Sequence, residues 1–91
     1  MGFIMYHLFI DEKLQKKIKK LDKAVKLLLN SYIRKNLLET DNPRKHGKAL
    51  TGNLKGWYRY RIMDYRLLVK IEDENLIIIA LDFEHRSKIY K

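Results

Sequence analysis

The run "WYRYRIMDYRLLVKIEDENLIIIALDF", residues 57–83, decides the fold. Polar and apolar residues alternate through its first two thirds, the two-residue period of strands whose side chains point to opposite faces. Between 57 and 62, Trp57, Arg59 and Arg61 fall on one face, while Tyr58, Tyr60 and Ile62 fall on the other. Between 65 and 72, Tyr65, Leu67, Val69 and Ile71 oppose Arg66, Leu68 and Lys70. The last block, 75–83, is apolar on both sides, which predicts an interior strand. "MD" and "EDEN" are connections too short for a crossover, so these strands form consecutive antiparallel hairpins.

Upstream, "IMYHLFI" at 4–10 reads as a short strand, with Ile4, Tyr6, Leu8 and Ile10 alternating against Met5, His7 and Phe9. Both sets are largely apolar, which places it in the sheet interior. Asp11 stands where a helix N-cap belongs, before Leu14, Ile18 and Leu21 at helical spacing with lysines opposite. Asp22 caps a second helix, 23–39, whose buried stripe is Val25, Leu28, Leu29, Tyr32 and Ile33. The tight "LDK" corner joins the two as a helical hairpin. "TDNPRKHGKALTGNLKG", 40–56, carries Pro43, Gly47, Gly52 and Gly56 and reads as a loop, made basic by Arg44, Lys45, Lys48 and Lys55. The expected fold is α+β in the order β-α-α-β-β-β, a helical hairpin packed on one face of a twisted, mainly antiparallel sheet. Residues 1–91 are expected to form a single domain.

If the apolar sets lie under the helices, Arg59, Arg61, Arg66 and Lys70 project together from the uncovered face. Like charges on neighbouring strands repel, so this clustering is comfortable where an anion is expected. Guanidinium groups offer paired planar donors suited to phosphate and keep their charge at physiological pH. The bland alternative is a ladder of arginines paired with Glu72, Glu74 or other acids. The tail "EHRSKIYK" follows the last strand and adds His85, Arg86, Lys88 and Tyr90, of which His85 is suited to moving protons near neutrality.

Composition agrees with a polyanion partner without choosing one. The formal net charge of +9 attracts nucleic acid, acidic protein or anionic membrane alike. With no cysteine, disulfides and thiolate metal sites are excluded and a reducing compartment is expected. His7, His46 and His85 are too far apart to suggest a ligand set, so no metal and no cofactor is expected. "LIIIAL" is too short to span a bilayer, and "MGFIMYHLF" has neither a basic n-region nor a cleavage site. A cytoplasmic protein without a membrane role is the expectation.

The residues also resemble a family. The "PRKHGKALTG" loop, the "WYRYR" strand, the "DYRL" block, the acidic hairpin and the closing "HRSKIY" stand in an order similar to RelE-type toxins, within the RelE/ParE superfamily of bacterial toxin-antitoxin pairs. The opening "FIDEKLQKKIKKLDK" is similar too, so the resemblance spans nearly the whole chain. It implies a ribosome-dependent endoribonuclease that cuts messenger RNA in the ribosomal A site without a metal. The 2′-hydroxyl would attack the adjacent phosphate, leaving a cyclic phosphate and a 5′-hydroxyl.

On that resemblance Arg59, Arg61, Arg66 and Arg86 serve phosphate and transition-state charge. His85 transfers a proton, and Tyr90 stacks on a base or orients the 2′-hydroxyl. Lys48, Lys55, Trp57, Lys70 and Lys88 are the further RNA-binding candidates. The implied partners are an acidic, RelB-like antitoxin, the ribosome and its messenger RNA, with operator DNA reached only through the antitoxin complex. Some family members carry lysines at the positions of Arg59 and Arg61. Arginine does not serve as a base, which moves that task to His85 or another group. Glu84 stands where the family often has glycine. Two other readings remain: a ParE-like toxin acting on DNA gyrase, and a non-catalytic RNA-binding module using Trp57 and the arginines.

Overall fold

In the computed structural model, which describes residues 5–89, the elements are β1 (His7–Ile10), α1 (Glu12–Lys19), α2 (Lys23–Asn36), β2 (Gly47–Ala49), β3 (Trp57–Ile62), β4 (Tyr65–Glu72), β5 (Ile77–His85) and α3 (Arg86–Ile89). The five strands form one sheet in the order β1-β5-β4-β3-β2. Only the β1–β5 pair is parallel; the other three are antiparallel. Among the described residues no helix is long and apolar enough to cross a membrane.

The alternation in β3 and β4 is realised as read. Tyr60 stands opposite Leu67 and Tyr58 opposite Val69, and Leu67 continues across to Phe83. Tyr60, Leu67, Val69 and Ile78 have no exposed surface, and they meet Leu29, Ile33 and Leu37 from the second helix and the turn after it. Tyr32 of α2 meets the Tyr60 ring edge-on at 6.2 Å. Each fully buried side chain of this kind contributes about 1.5–3 kcal/mol through apolar surface removed from water. In α1, Leu14 is buried while Lys16, Lys17 and Lys19 crowd the last turn, where they suit the negative end of the helix dipole. Asp11 caps this helix, its carboxylate accepting from the Lys13 amide at 3.1 Å.

Three expectations need correction. β1 lies at the sheet edge rather than inside; Leu8 and Ile10 face the core, but His7 is exposed and Phe9 is 54% exposed. Its two apolar sets misled, because a four-residue strand leading into a helix pairs on one side only. Ile4 lies outside the described residues. The second helix stops at Asn36 rather than at residue 39, with Glu39 in the left-handed region at φ 54°. Finally, the basic loop is not wholly a loop: it contains β2, and a 3₁₀ turn over Gly52–Leu54. Three residues with no apolar run carry no periodicity to read.

What holds β2 in place is the buried Tyr60. Its hydroxyl donates to the carbonyl of Pro43, and its ring lies so close to Gly47 that a Cβ there would meet ring carbons at 2.9 Å. Arg44 completes the attachment. It donates from Nε to the Tyr58 hydroxyl at 2.8 Å and from Nη2 to Asp73 Oδ2 at 2.8 Å, while Tyr6 donates its hydroxyl to Asp73 Oδ1 at 2.7 Å. The Arg44 hydrogen bond, then the Tyr6 one, hold the Asp73 carboxyl below its ordinary value. Arg44, one of the basic loop residues, is thus structural.

Gly47→Ala should destabilise the fold by about 1–3 kcal/mol, read by urea unfolding, because a fixed ring leaves the methyl no room. A depressed carboxyl contributes stability that is complete above its unfolded value and lost as pH falls through the folded one. The melting temperature should therefore drop on acidification below about pH 4, and Asp73→Asn should remove part of that drop.

Candidate functional site

Side chains of directly opposed residues share a face, so the register assembles the site. Arg61 stands opposite Arg66, Arg59 opposite Leu68, and Trp57 opposite Lys70. β2 adds Lys48, opposite Arg59. All lie on the sheet face opposite the one that Tyr60, Leu67 and Val69 bury. Lys48, Arg59, Arg61 and Arg66, with His46 and Gly47, line a hollow of about 290 Å³. The short strand that periodicity missed is what brings Lys48 into it.

A second hollow, about 410 Å³, shares Arg59 and Arg66 with the first. Its character differs. Leu50, Leu54 and Leu68 give it apolar walls, Lys88 adds a cation, and Asp82 and Glu84 bring two carboxylates. Leu50 and Leu54 come from the segment around the 3₁₀ turn, so that connection builds one wall of the site. Two depressions therefore meet at a pair of arginines, one cationic and one mixed.

The carboxylates are present because of a bulge in β5. Val69 pairs with Ala80, but Leu68 pairs with Asp82, leaving Leu81 as the extra residue. An extra residue reverses which side chains point to which face. Before it, Ile78 and Ala80 face the core; after it, Phe83 does, and Asp82 and Glu84 turn to the arginines, with Glu84 directly opposite Arg66.

The same reversal carries His85 away. It stands opposite Tyr65, whose ring it meets edge-on at 5.4 Å, and Tyr65 stacks on Phe83 at 5.0 Å. Its Nδ1 accepts the Ser87 amide at 3.2 Å and lies 2.9 Å from the Ser87 hydroxyl. His85 thus sits on the helix side of the sheet, apart from the arginines. It also belongs to β5 rather than to a tail after it.

Lys17 of α1 reaches both carboxylates, 2.8 Å from Asp82 Oδ1 and 2.9 Å from Glu84 Oε2. Partial burial pulls its ammonium down, but the hydrogen bonds to Asp82 and Glu84 outweigh this and hold it above its ordinary value. Arg66 donates from Nη1 to the carbonyls of Tyr65 at 2.8 Å and Met63 at 3.1 Å, which hold its guanidinium beside the β3–β4 turn. Arg86 joins that turn as well. Its amide donates to the Asp64 carbonyl at 2.8 Å and its Nε lies 3.8 Å from the Asp64 carboxylate.

The remaining candidates divide. Lys70 lies 3.9 Å from Glu72. Trp57 is half-buried and lines a shallow groove with Leu14, Lys17 and Leu68, apart from the cationic hollow. Lys55 is exposed after the 3₁₀ turn. Tyr90 lies outside the described residues. Among those described, no group of three or more His, Asp or Glu could hold a metal ion.

The sequence and the fold are both similar to those of known proteins. The model of the ParE toxin of type II toxin-antitoxin systems matches residues 8–90. The "Putative toxin RelE4" of Methanocaldococcus jannaschii is 33% identical over 88 residues, 96% of this chain and 93% of that one. "Toxin RelG" of Mycobacterium tuberculosis is 39% identical over 49 residues, 54% of this chain, which spans 56% of that relative's length. The toxin-antitoxin complex RelBE2 of M. tuberculosis matches with a TM-score of 0.79 at 26% identity, over 90% of this chain and 99% of that one. The intact Escherichia coli RelBE complex matches with a TM-score of 0.70 at 22% identity, over 88% and 95%, a likeness of fold. The protein is a toxin of the type II toxin-antitoxin class, and it belongs to the RelE/ParE superfamily as a RelE-type member.

Lys17→Met should leave Asp82 and Glu84 facing each other without their common cation. The expected loss of stability is up to about 1 kcal/mol at low salt, shrinking as salt is added, by urea unfolding. A raised ammonium contributes stability that is complete below its unfolded value and lost as pH rises through the folded one. The difference between the two proteins should therefore persist at neutrality and close only above about pH 10.5.

Proposed function

We propose that this toxin is a ribosome-dependent endoribonuclease that cleaves messenger RNA without a metal and thereby stops translation. The observation that carries the reading is the gathering of Lys48, Arg59, Arg61 and Arg66 around one hollow on the sheet face opposite Tyr60. Such a wall binds a phosphodiester and stabilises the extra charge that its phosphorus acquires when the ribose 2′-oxygen attacks. The 2′-oxygen bonds to phosphorus, the bond to the 5′-oxygen breaks, and a cyclic phosphate and a 5′-hydroxyl remain. Arg86, tied to the turn beside Arg66, adds charge at the same end of the sheet. Tyr90 keeps the role that the family resemblance gives it, stacking on a base or orienting the 2′-hydroxyl. His85, on the other side of the sheet, is assigned no part in the chemistry.

The partner proposed is an acidic antitoxin, as the solved RelBE complexes of relatives support. It would cover a surface whose net charge of +9 is otherwise uncompensated. Ribosome, messenger RNA and a cytoplasmic setting follow from the same reading. A second reading, action on DNA gyrase, is favoured by the ParE description of the matching family.

Purified toxin should cut messenger RNA on translating ribosomes, mapped by primer extension, and leave free RNA nearly intact. Arg66→Ala should lower the cleavage rate about 10²–10³-fold with an unchanged circular dichroism spectrum. A folded Arg66→Ala that cleaves at the parent rate would remove the phosphate wall from the mechanism. Inhibition of gyrase supercoiling with no new RNA ends would favour the second reading instead.

A further inference from the structure

From the placement of the bulged strand we infer that Glu84 is the general base of the proposed cleavage, and that Lys17 is its positioning residue. The inference rests on the ribonuclease reading above and supplies the group that reading lacks. The basic wall holds guanidinium groups, which cannot take a proton at any working pH. His85 faces the opposite side of the sheet.

Glu84 is placed for the task in three respects. It stands directly opposite Arg66 in the β4–β5 register, so a phosphate held by Arg66 lies next to the carboxylate. It lines the mixed hollow that opens from the Arg59–Arg66 pair, where the apolar walls fit a ribose and base rather than a phosphate. Its Oε2 lies 2.9 Å from Lys17 Nζ, a contact that fixes the carboxylate.

The charged groups facing it come from every neighbouring element: Lys17 from α1, Arg59 from β3, Arg66 from β4, Asp82 from its own strand and Lys88 from α3. Asp82 stands opposite Leu68 rather than a cation-bearing residue, so its part is to share Lys17. In the step itself the Glu84 carboxylate takes the proton of the 2′-hydroxyl as the 2′-oxygen bonds to phosphorus. The 5′-oxygen leaves with the electrons of its bond to phosphorus and takes a proton from solvent. Lys48 is the competing base, since an ammonium that loses its proton could serve from the cationic hollow.

The test is single-turnover cleavage of messenger RNA on programmed ribosomes, by the full-length toxin and by Glu84→Gln, Lys17→Met and Lys48→Met. Glu84→Gln keeps shape and a hydrogen-bond acceptor, and circular dichroism and ribosome co-sedimentation establish that each variant folds and binds. The expected result is a loss of about 10²–10⁴-fold for Glu84→Gln, and any acid limb found in the parent's pH–rate profile should be absent from that variant. Lys17→Met should lower the cleavage rate without changing ribosome co-sedimentation, and Lys17→Arg, which keeps the cation, should restore it. Glu84→Gln cleaving within about twofold of the parent, or a limb that survives it and vanishes in Lys48→Met, would overturn the assignment and leave the ribonuclease reading intact. Absence of cleavage by the parent would overturn both.

Discussion

The register between β3 and β4 is the constraint on which the rest depends. Tyr60 against Leu67 and Arg61 against Arg66 are consequences of one alignment. A slip of a single residue would drive guanidinium groups into the core and leave tyrosines in water. Burial of Tyr60 and Leu67, both without exposed surface, opposes that slip strongly. The cationic face is therefore held together by forces acting on the other side of the sheet. Repulsion between Arg61 and Arg66 is tolerated because the apolar pairs beside them leave no alternative alignment.

Tyr60 extends this control beyond its own strand. Through the Pro43 carbonyl and the space beside Gly47 it fixes the segment that contains β2, and β2 carries Lys48 to Arg59. The Arg44–Asp73–Tyr6 connections tie the same segment to the β4–β5 turn and to the residue before β1. A residue that looks like part of a phosphate-binding loop is in this way a structural pin. The neighbouring Lys48 stays available because the pin is Arg44 and not itself.

The sequence made the hairpins, both helices and the common face of Arg59, Arg61 and Arg66 legible, since alternation and helical spacing are strong signals over six or more residues. It could not reveal β2, where Gly47, Lys48 and Ala49 offer no pattern, and it misplaced β1, whose two apolar sets suggested cover on both sides. The deeper miss concerns β5. A strand apolar on both faces gives no parity to read, and the bulge at Leu81 then changes that parity midway. Without the bulge His85 would belong with the arginines, as its place in the sequence suggests. With it, Asp82 and Glu84 take that position, and Lys17, from the lysine-bearing face of α1, becomes part of the site.

The parallel pairing of β1 with β5 has a consequence for biosynthesis. Tyr6 and Asp73, whose bond lies beside that pairing, are separated by 67 residues of chain. Closing so distant a contact is slow, and it waits until β5 has been made. While the stretch between them is still being synthesised, β1 has no docking partner, so the sheet closes only after β5 has emerged.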